Sequence, residues 1–157
     1  MNLAAASETG GTRVPPPAFY LAGLTAGLMA ERVAPLTLPS GAPATAAAAI
    51  AIGTGTGFVT SSVLHFKRAG TSVAPNSPTT ALVTTGPYRI SRNPIYLGFT
   101  LVAAGIAMAA RSGWTLLLVP MVVGAIDRLV ITREQRDLAA RYGQEYQRYR
   151  ARTRRWL

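Results

Sequence analysis

The chain has 157 residues and carries 16 Lys+Arg against 6 Asp+Glu, a net charge of +10, yet only 14% of its residues are charged and 49% are apolar. The length fits one domain around one core, and so rich an apolar content excludes disorder as the main state. Charge crowded into a few stretches excludes an ordinary soluble surface, and the absence of cysteine excludes disulfides, a thiol nucleophile and a cysteine-based zinc site.

All of the basic residues except Lys67 are arginine, which points to a GC-rich genome and says nothing about mechanism. Residues 1–13 read as a flexible tail with no basic region of the kind that opens a cleavable signal. Long windows almost free of charge follow, at Val14–Ala30, Val33–Phe66, Asn93–Ala110 and Ser112–Ile126. A helix needs about 20 apolar residues to cross a hydrocarbon core of about 30 Å. The expected fold is therefore an all-α integral membrane protein, with about four transmembrane helices near 17–38, 43–66, 94–110 and 113–132. A C-terminal amphipathic cytosolic helix and basic tail over 133–157 complete the single domain 1–157. A soluble bundle of buried helices is the alternative.

In the second span, Gly53 and Gly57 form a small-xxx-small pair that suits close helix packing within the bundle, or else contact in a homodimer. Basic residues gather at Lys67, Arg68, Arg89 and Arg92 and again from Arg128 to Arg155, against Arg32 and Arg111 on the other side. Both termini and the middle loop are accordingly expected in the cytoplasm, with the chain in the bacterial inner membrane. His65, the lone histidine, reads as a helix-end residue.

The loop 67–93 is too long for a connector and invites a function. It ends in Gly86-Pro87-Tyr88-Arg89, then Ser91-Arg92-Asn93-Pro94-Ile95-Tyr96-Leu97-Gly98. Asn93 suits an N-cap and Pro94 a first helical position. The free amides of that helix start, with Arg89 and Arg92 beside them, suit a carboxylate or phosphate. The arginines could equally anchor the helix to anionic headgroups.

Extending the fourth span at 100° per residue puts Asp127, Ile131, Glu134, Leu138, Tyr142, Glu145 and Tyr149 on one face. A carboxylate turned inward needs a cationic partner. For Asp127, that partner is expected locally, at Arg128 or towards Arg111. Arg148, Arg150, Arg152, Arg154 and Arg155 with Trp156 read as an interfacial anchor on membrane lipids rather than a nucleic-acid surface.

Taken together, Leu82-Val83-Thr84-Thr85-Gly86-Pro87-Tyr88-Arg89, Ser91–Gly98, Glu134-Gln135-x-x-Leu138, Tyr142-Gly143-x-x-Tyr146-x-x-Tyr149 and Arg155-Trp156 resemble the isoprenylcysteine carboxyl methyltransferase family. The phospholipid N-methyltransferases share the Arg-His/Asn-Pro-x-Tyr-x-Gly part. The resemblance covers about residues 67–157. It implies a membrane enzyme that uses S-adenosylmethionine in a cytosol-facing pocket, with a lipid-like acceptor entering from the bilayer. It also implies cofactor contacts from Thr80, Leu82, Val83, Tyr88, Asn93, Pro94, Ile95, Tyr96 and Glu134. Asn93 stands where many members have His.

Prenylcysteine enzymes of this family have an arginine one turn before the glutamate, where this chain has Val130. Arg128 and Arg133 are the candidates to replace it, and with Glu134 they make up the candidate catalytic set. An amine or alcohol acceptor would need a base, for which Glu134 and Asp127 are available. No metal site is expected. An NADPH-dependent membrane reductase of similar layout and a non-catalytic membrane scaffold are the rival readings.

Overall fold

The computed structural model describes residues 14–71 and 81–157. The 1–13 tail, Thr80 and much of the 67–93 loop lie outside the described residues. Apart from one isolated bridge between Thr37 and Ser112, all regular structure among them is helical. The helices are α1 (Pro16–Val33), α2 (Ala42–Arg68), α3 (Pro94–Ala109), α4 (Gly113–Ile126) and α5 (Thr132–Arg152). A 3-10 turn, Gly86–Arg89, precedes α3, and a π-helical turn, Asp127–Ile131, joins α4 to α5 without a break.

Prolines open three of the helices, at the first or second position of α1, α2 and α3, where no backbone donor is lost and φ is already helical. α4 instead starts on Ser112, whose hydroxyl accepts from the Thr115 amide. Two helices are long and apolar enough to cross a membrane: α2, and the continuous rod Gly113–Arg152 that contains α4 and α5. α3 is a shorter apolar helix. The first helix ends at Val33, short of the expected 38, because Glu31 accepts the Leu36 amide at 2.6 Å and turns the chain.

Neighbouring helices run antiparallel in the lateral order α2, α3, α4, α1. The α2–α3 seam is the tightest. A Cβ on Gly55 would sit 2.6 Å from the Gly98 carbonyl oxygen, and one on Gly98 would sit 2.6 Å from that of Gly55. Gly105 likewise presses on Ala48 and Ile52. This corrects the packing expected of Gly53 and Gly57, which are exposed and would meet nothing within 4 Å. The pair stands on the outer face of α2, and the helix approaches through the glycine between them.

At one end of the bundle, residues 34–38 are sewn to the α3–α4 turn. The Gly113 amide donates to Leu36 O and the Trp114 indole to Ala34 O, while Glu31 takes the Ser112 hydroxyl at 3.0 Å. The opposite end carries the 81–93 segment, the π turn and the C-terminal tail.

Candidate functional site

Helix α3 begins at Pro94 as its sequence implies, with Asn93 in the N-cap position. The Asn93 side chain, however, forms no cap. Its amide Nδ2 donates to the Arg155 carbonyl at 2.8 Å, and the Ser91 hydroxyl donates to the same oxygen. The Arg92 amide bonds Arg154 O at 2.9 Å. The tail thus lies along residues 91–93, and the first-turn amides of α3 receive no side-chain cap.

The tail is held from the other side by Asp127. Its Oδ2 pairs with Arg155 at 2.8 Å, its Oδ1 accepts from the Trp156 indole at 3.2 Å, and Arg155 also reaches Gln135 Oε1. This corrects two expectations. Asp127 is paired with neither Arg128 nor the Arg111 side, and Arg155 and Trp156 fold inward instead of anchoring at an interface. With both oxygens engaged, Asp127 leaves the set of candidate bases.

One turn into α5, Glu134 is half-buried and accepts the Tyr96 hydroxyl at 2.8 Å. Tyr96 is itself positioned by Tyr20 of α1, whose hydroxyl donates to the Tyr96 carbonyl and lies 2.9 Å from Thr100 Oγ1. No cation is ion-paired with Glu134 among the described residues. Glu134 lies beyond the apolar run that ends at Ile131, and burial lifts its carboxyl above the usual carboxylate range; the Tyr96 hydrogen bond opposes that and nearby Asp137 adds to it.

Beside this pair, Val83, Tyr88, Tyr146 and Tyr149 form a buried aromatic cluster, flanked by Phe66, Leu82, Leu138 and Tyr142. The Tyr149 hydroxyl donates to the Tyr88 carbonyl at 2.7 Å and so fixes the 81–90 segment on α5. Phe66 meets the Tyr88 ring edge-on at 5.2 Å. The Tyr88 hydroxyl is buried without a well-formed hydrogen bond among the described residues. Burial, with Tyr149 beside it, pushes its acidity well below that of an ordinary phenol. Gly86, at φ +60°, lies directly on the His65 ring and has no room for a Cβ. The His65 Nδ1 donates to Ser61 O at 2.8 Å, as befits a helix-end residue.

The structure therefore gathers Leu82, Val83, Tyr88, Asn93, Pro94, Ile95, Tyr96 and Glu134 at one end of the bundle. Arg128 and Arg133 are both exposed on the rod. Arg92 is half-buried and points Nη1 at the Tyr146 hydroxyl at 3.4 Å, whereas Arg89 is exposed and turns to a separate cavity. The face projected along α5 holds through Ile131, Glu134, Leu138 and Tyr142. Beyond them Glu145 is exposed and Tyr146 takes its place in the core, while Tyr149 is buried as projected. The cause is Gly143, at φ +47°, which kinks the helix and resets its face.

Sequence reading passes over Tyr20 and gives Ser91 and Gln135 no role beyond their places in the motifs. The only signal for Tyr20 is a phenol in an otherwise apolar span. Val130, where an arginine stands in the prenylcysteine enzymes, is buried with Tyr20, Ala103, Ile126 and Ile131.

The chain matches the phospholipid methyltransferase family over residues 43–145, a range that takes in α2, α3, α4 and the first two-thirds of α5. It belongs to that family. Membership implies methyl transfer by a membrane methyltransferase, a reaction for which the family in general uses S-adenosylmethionine. The match begins in α2, which its generic composition had hidden. No curated protein matches the chain, and no solved structure does.

Proposed function

We propose that this chain transfers a methyl group from S-adenosylmethionine to a lipophilic, lipid-like acceptor at the cytosolic face of the bacterial inner membrane. The observation that carries the proposal is Glu134, a half-buried carboxylate held by Tyr96 beside the uncapped start of α3. A carboxylate so placed suits an ammonium, and an uncapped helix start suits a carboxylate. The amino-acid end of the cofactor carries both. The buried Tyr88 hydroxyl, beside Ser62, and the aromatic wall of Tyr142 and Tyr146 suit its polar and planar remainder.

In this reading Glu134 holds the ammonium, while Asn93, Pro94, Ile95 and Tyr96 present the helix start. Leu82, Val83 and Tyr88 wall the pocket. When bound, the cofactor supplies an electrophilic methyl group for in-line displacement. The protein's share is alignment and the exclusion of water. Buried Val130 offers the acceptor no cation at that position, which favours recognition by shape over recognition of a carboxylate. Arg128 and Arg133 remain at the exposed flank, within reach of an acceptor's polar end at the interface.

The same proposal has α1 to α4 all crossing the bilayer, both termini cytoplasmic, and α5 lying at the cytosolic surface. α3 spans about 24 Å, short of the hydrocarbon thickness, and is sheltered between α2 and α4. A homodimer would complete the acceptor side of so small an enclosure.

Calorimetric titration of S-adenosylhomocysteine into the detergent-purified chain tests the reading, alongside Glu134→Ala and Tyr96→Ala. Micromolar binding lost in both variants supports it. No binding to a folded wild type overturns it, and binding of NADPH instead would favour a reductase.

A further inference from the structure

The 3-10 turn Gly86–Arg89 separates two cavities that Glu134 does not line. On one side Gly86, Pro87 and Ile90 face Gly57, Phe58 and Ser61 of α2 across an open, largely apolar groove of about 410 Å3. On the other, Thr84, Thr85 and Arg89 face Arg148, Arg152 and Glu145 of α5 across a more enclosed cavity of about 520 Å3. Three arginines from two elements line it. None of them is ion-paired among the described residues, and Glu145, the acid at the same cavity, pairs with none.

Three arginines against one carboxylate, with two hydroxyls beside them, suit a phosphate ester. The apolar groove on the far side of the same short turn has no use for a free anion but suits an acyl chain. α2 is about 40 Å long, more than a hydrocarbon core of about 30 Å, and its last turn carries His65, Lys67 and Arg68, which suits the headgroup level. The groove then opens to the acyl region and the arginines to the headgroup level.

We infer that the two cavities form one amphipathic site for an anionic phospholipid distinct from the methyl acceptor. The phosphate sits among Arg89, Arg148 and Arg152, and one chain lies over the turn in the α2 groove. Glu134 lines neither cavity, which sets this lipid apart from the proposed transfer site. The inference does not rest on methyl transfer, because its readout is lipid retention.

The test is native mass spectrometry of the full chain in detergent, titrated with phosphatidylglycerol, phosphatidylcholine or inorganic phosphate. Phosphatidylglycerol is retained over phosphatidylcholine, and Arg148→Gln/Arg152→Gln weakens it roughly thirtyfold, near the surface value of about fivefold per arginine. Arg89→Gln, on the opposite wall, gives an independent loss should the α5 pair fail to fold. Arg136→Gln, the same single charge change as Arg89→Gln but on α5 away from the cavity, leaves binding intact. Gly57→Leu, where a side chain meets nothing within 4 Å, fills the groove and weakens the lipid but not phosphate. Equal retention of phosphatidylcholine, or an equal loss in Arg136→Gln, overturns the site. Phosphate binding as tight as the lipid's, with no effect of Gly57→Leu, overturns the lipid and leaves a free-anion site.

Discussion

Asp127 and Arg155, 28 residues apart, meet at 2.8 Å and bring the C-terminal tail back onto the π turn. The clasp places the Arg155 carbonyl where Ser91 and Asn93 can use it. One ion pair thereby ties the end of α4, the tail and the start of α3 together.

Asp127→Ala should release the tail. The side chains are 35% and 26% exposed, so screening holds the pair itself to about 1 kcal/mol or less. Loss of the Trp156 bond adds about 1 kcal/mol. Arg155→Ala should cost a similar amount, and the double variant less than the sum. Thermal unfolding in detergent measures all three, and carboxypeptidase should trim the variants' tails faster.

The Glu134 carboxyl predicts a pH signature. Its folded-state pKa is raised by burial, so the folded protein holds this proton more firmly than the unfolded chain does. Its contribution to stability is therefore present at pH below the ordinary carboxylate range and is lost as pH rises through the raised value. An ammonium ligand needs the ionised form, so S-adenosylhomocysteine affinity should rise over that same interval. Glu134→Gln should flatten both profiles. A wild-type affinity independent of pH across the weakly acidic range would count against the assignment.

Gly98→Val should be severe, because the new side chain meets the Gly55 carbonyl and Val59. Overpacking of this kind costs about 1–3 kcal/mol, and backbone on the opposing side leaves little room to relax. Gly53→Ala, on the open face of the partner helix, should be neutral or stabilise by up to about 1 kcal/mol. Paired melting curves decide it, and a harmless Gly98→Val would mean the seam is looser than described.

Tyr149→Phe removes the bond to the Tyr88 carbonyl and leaves the ring in place. The buried carbonyl then lacks its donor, at a cost of about 1–3 kcal/mol. Hydrogen exchange should rise first in residues 81–90, before any change in α2 or α3.

Much of this architecture is legible in the sequence because each uncharged window ends on a charge, a proline or a glycine. The start of α3 at Pro94 and the boundaries of α2 fall within a residue or two of expectation. The end of α1 does not, since residues 34–38 are as apolar as a span and are turned only by distant partners, Glu31, Ser112 and Trp114. The inward Glu134 was visible in helical periodicity, and its meeting with Tyr96 follows from two motifs. The roles of Asp127, Arg155 and Trp156 were not visible, because a tail that folds back has no local signature. Nor was the seam glycine foreseeable: Gly53, Gly55 and Gly57 are identical in composition, and only the partner helix distinguishes them.

The π turn at Asp127–Ile131 has a consequence for how this protein tolerates change. A π turn carries one residue more than the α-helical turn it replaces, and every side chain after Ile131 is rotated accordingly. Deleting one residue there takes out the extra one, so the rod can relax into unbroken α-helix with Glu134 still facing Tyr96. Converting the turn to α-helix at full length would instead swing Glu134 about 100° away. The alignment of the site therefore tolerates the loss of one residue in the turn better than a rewinding of it.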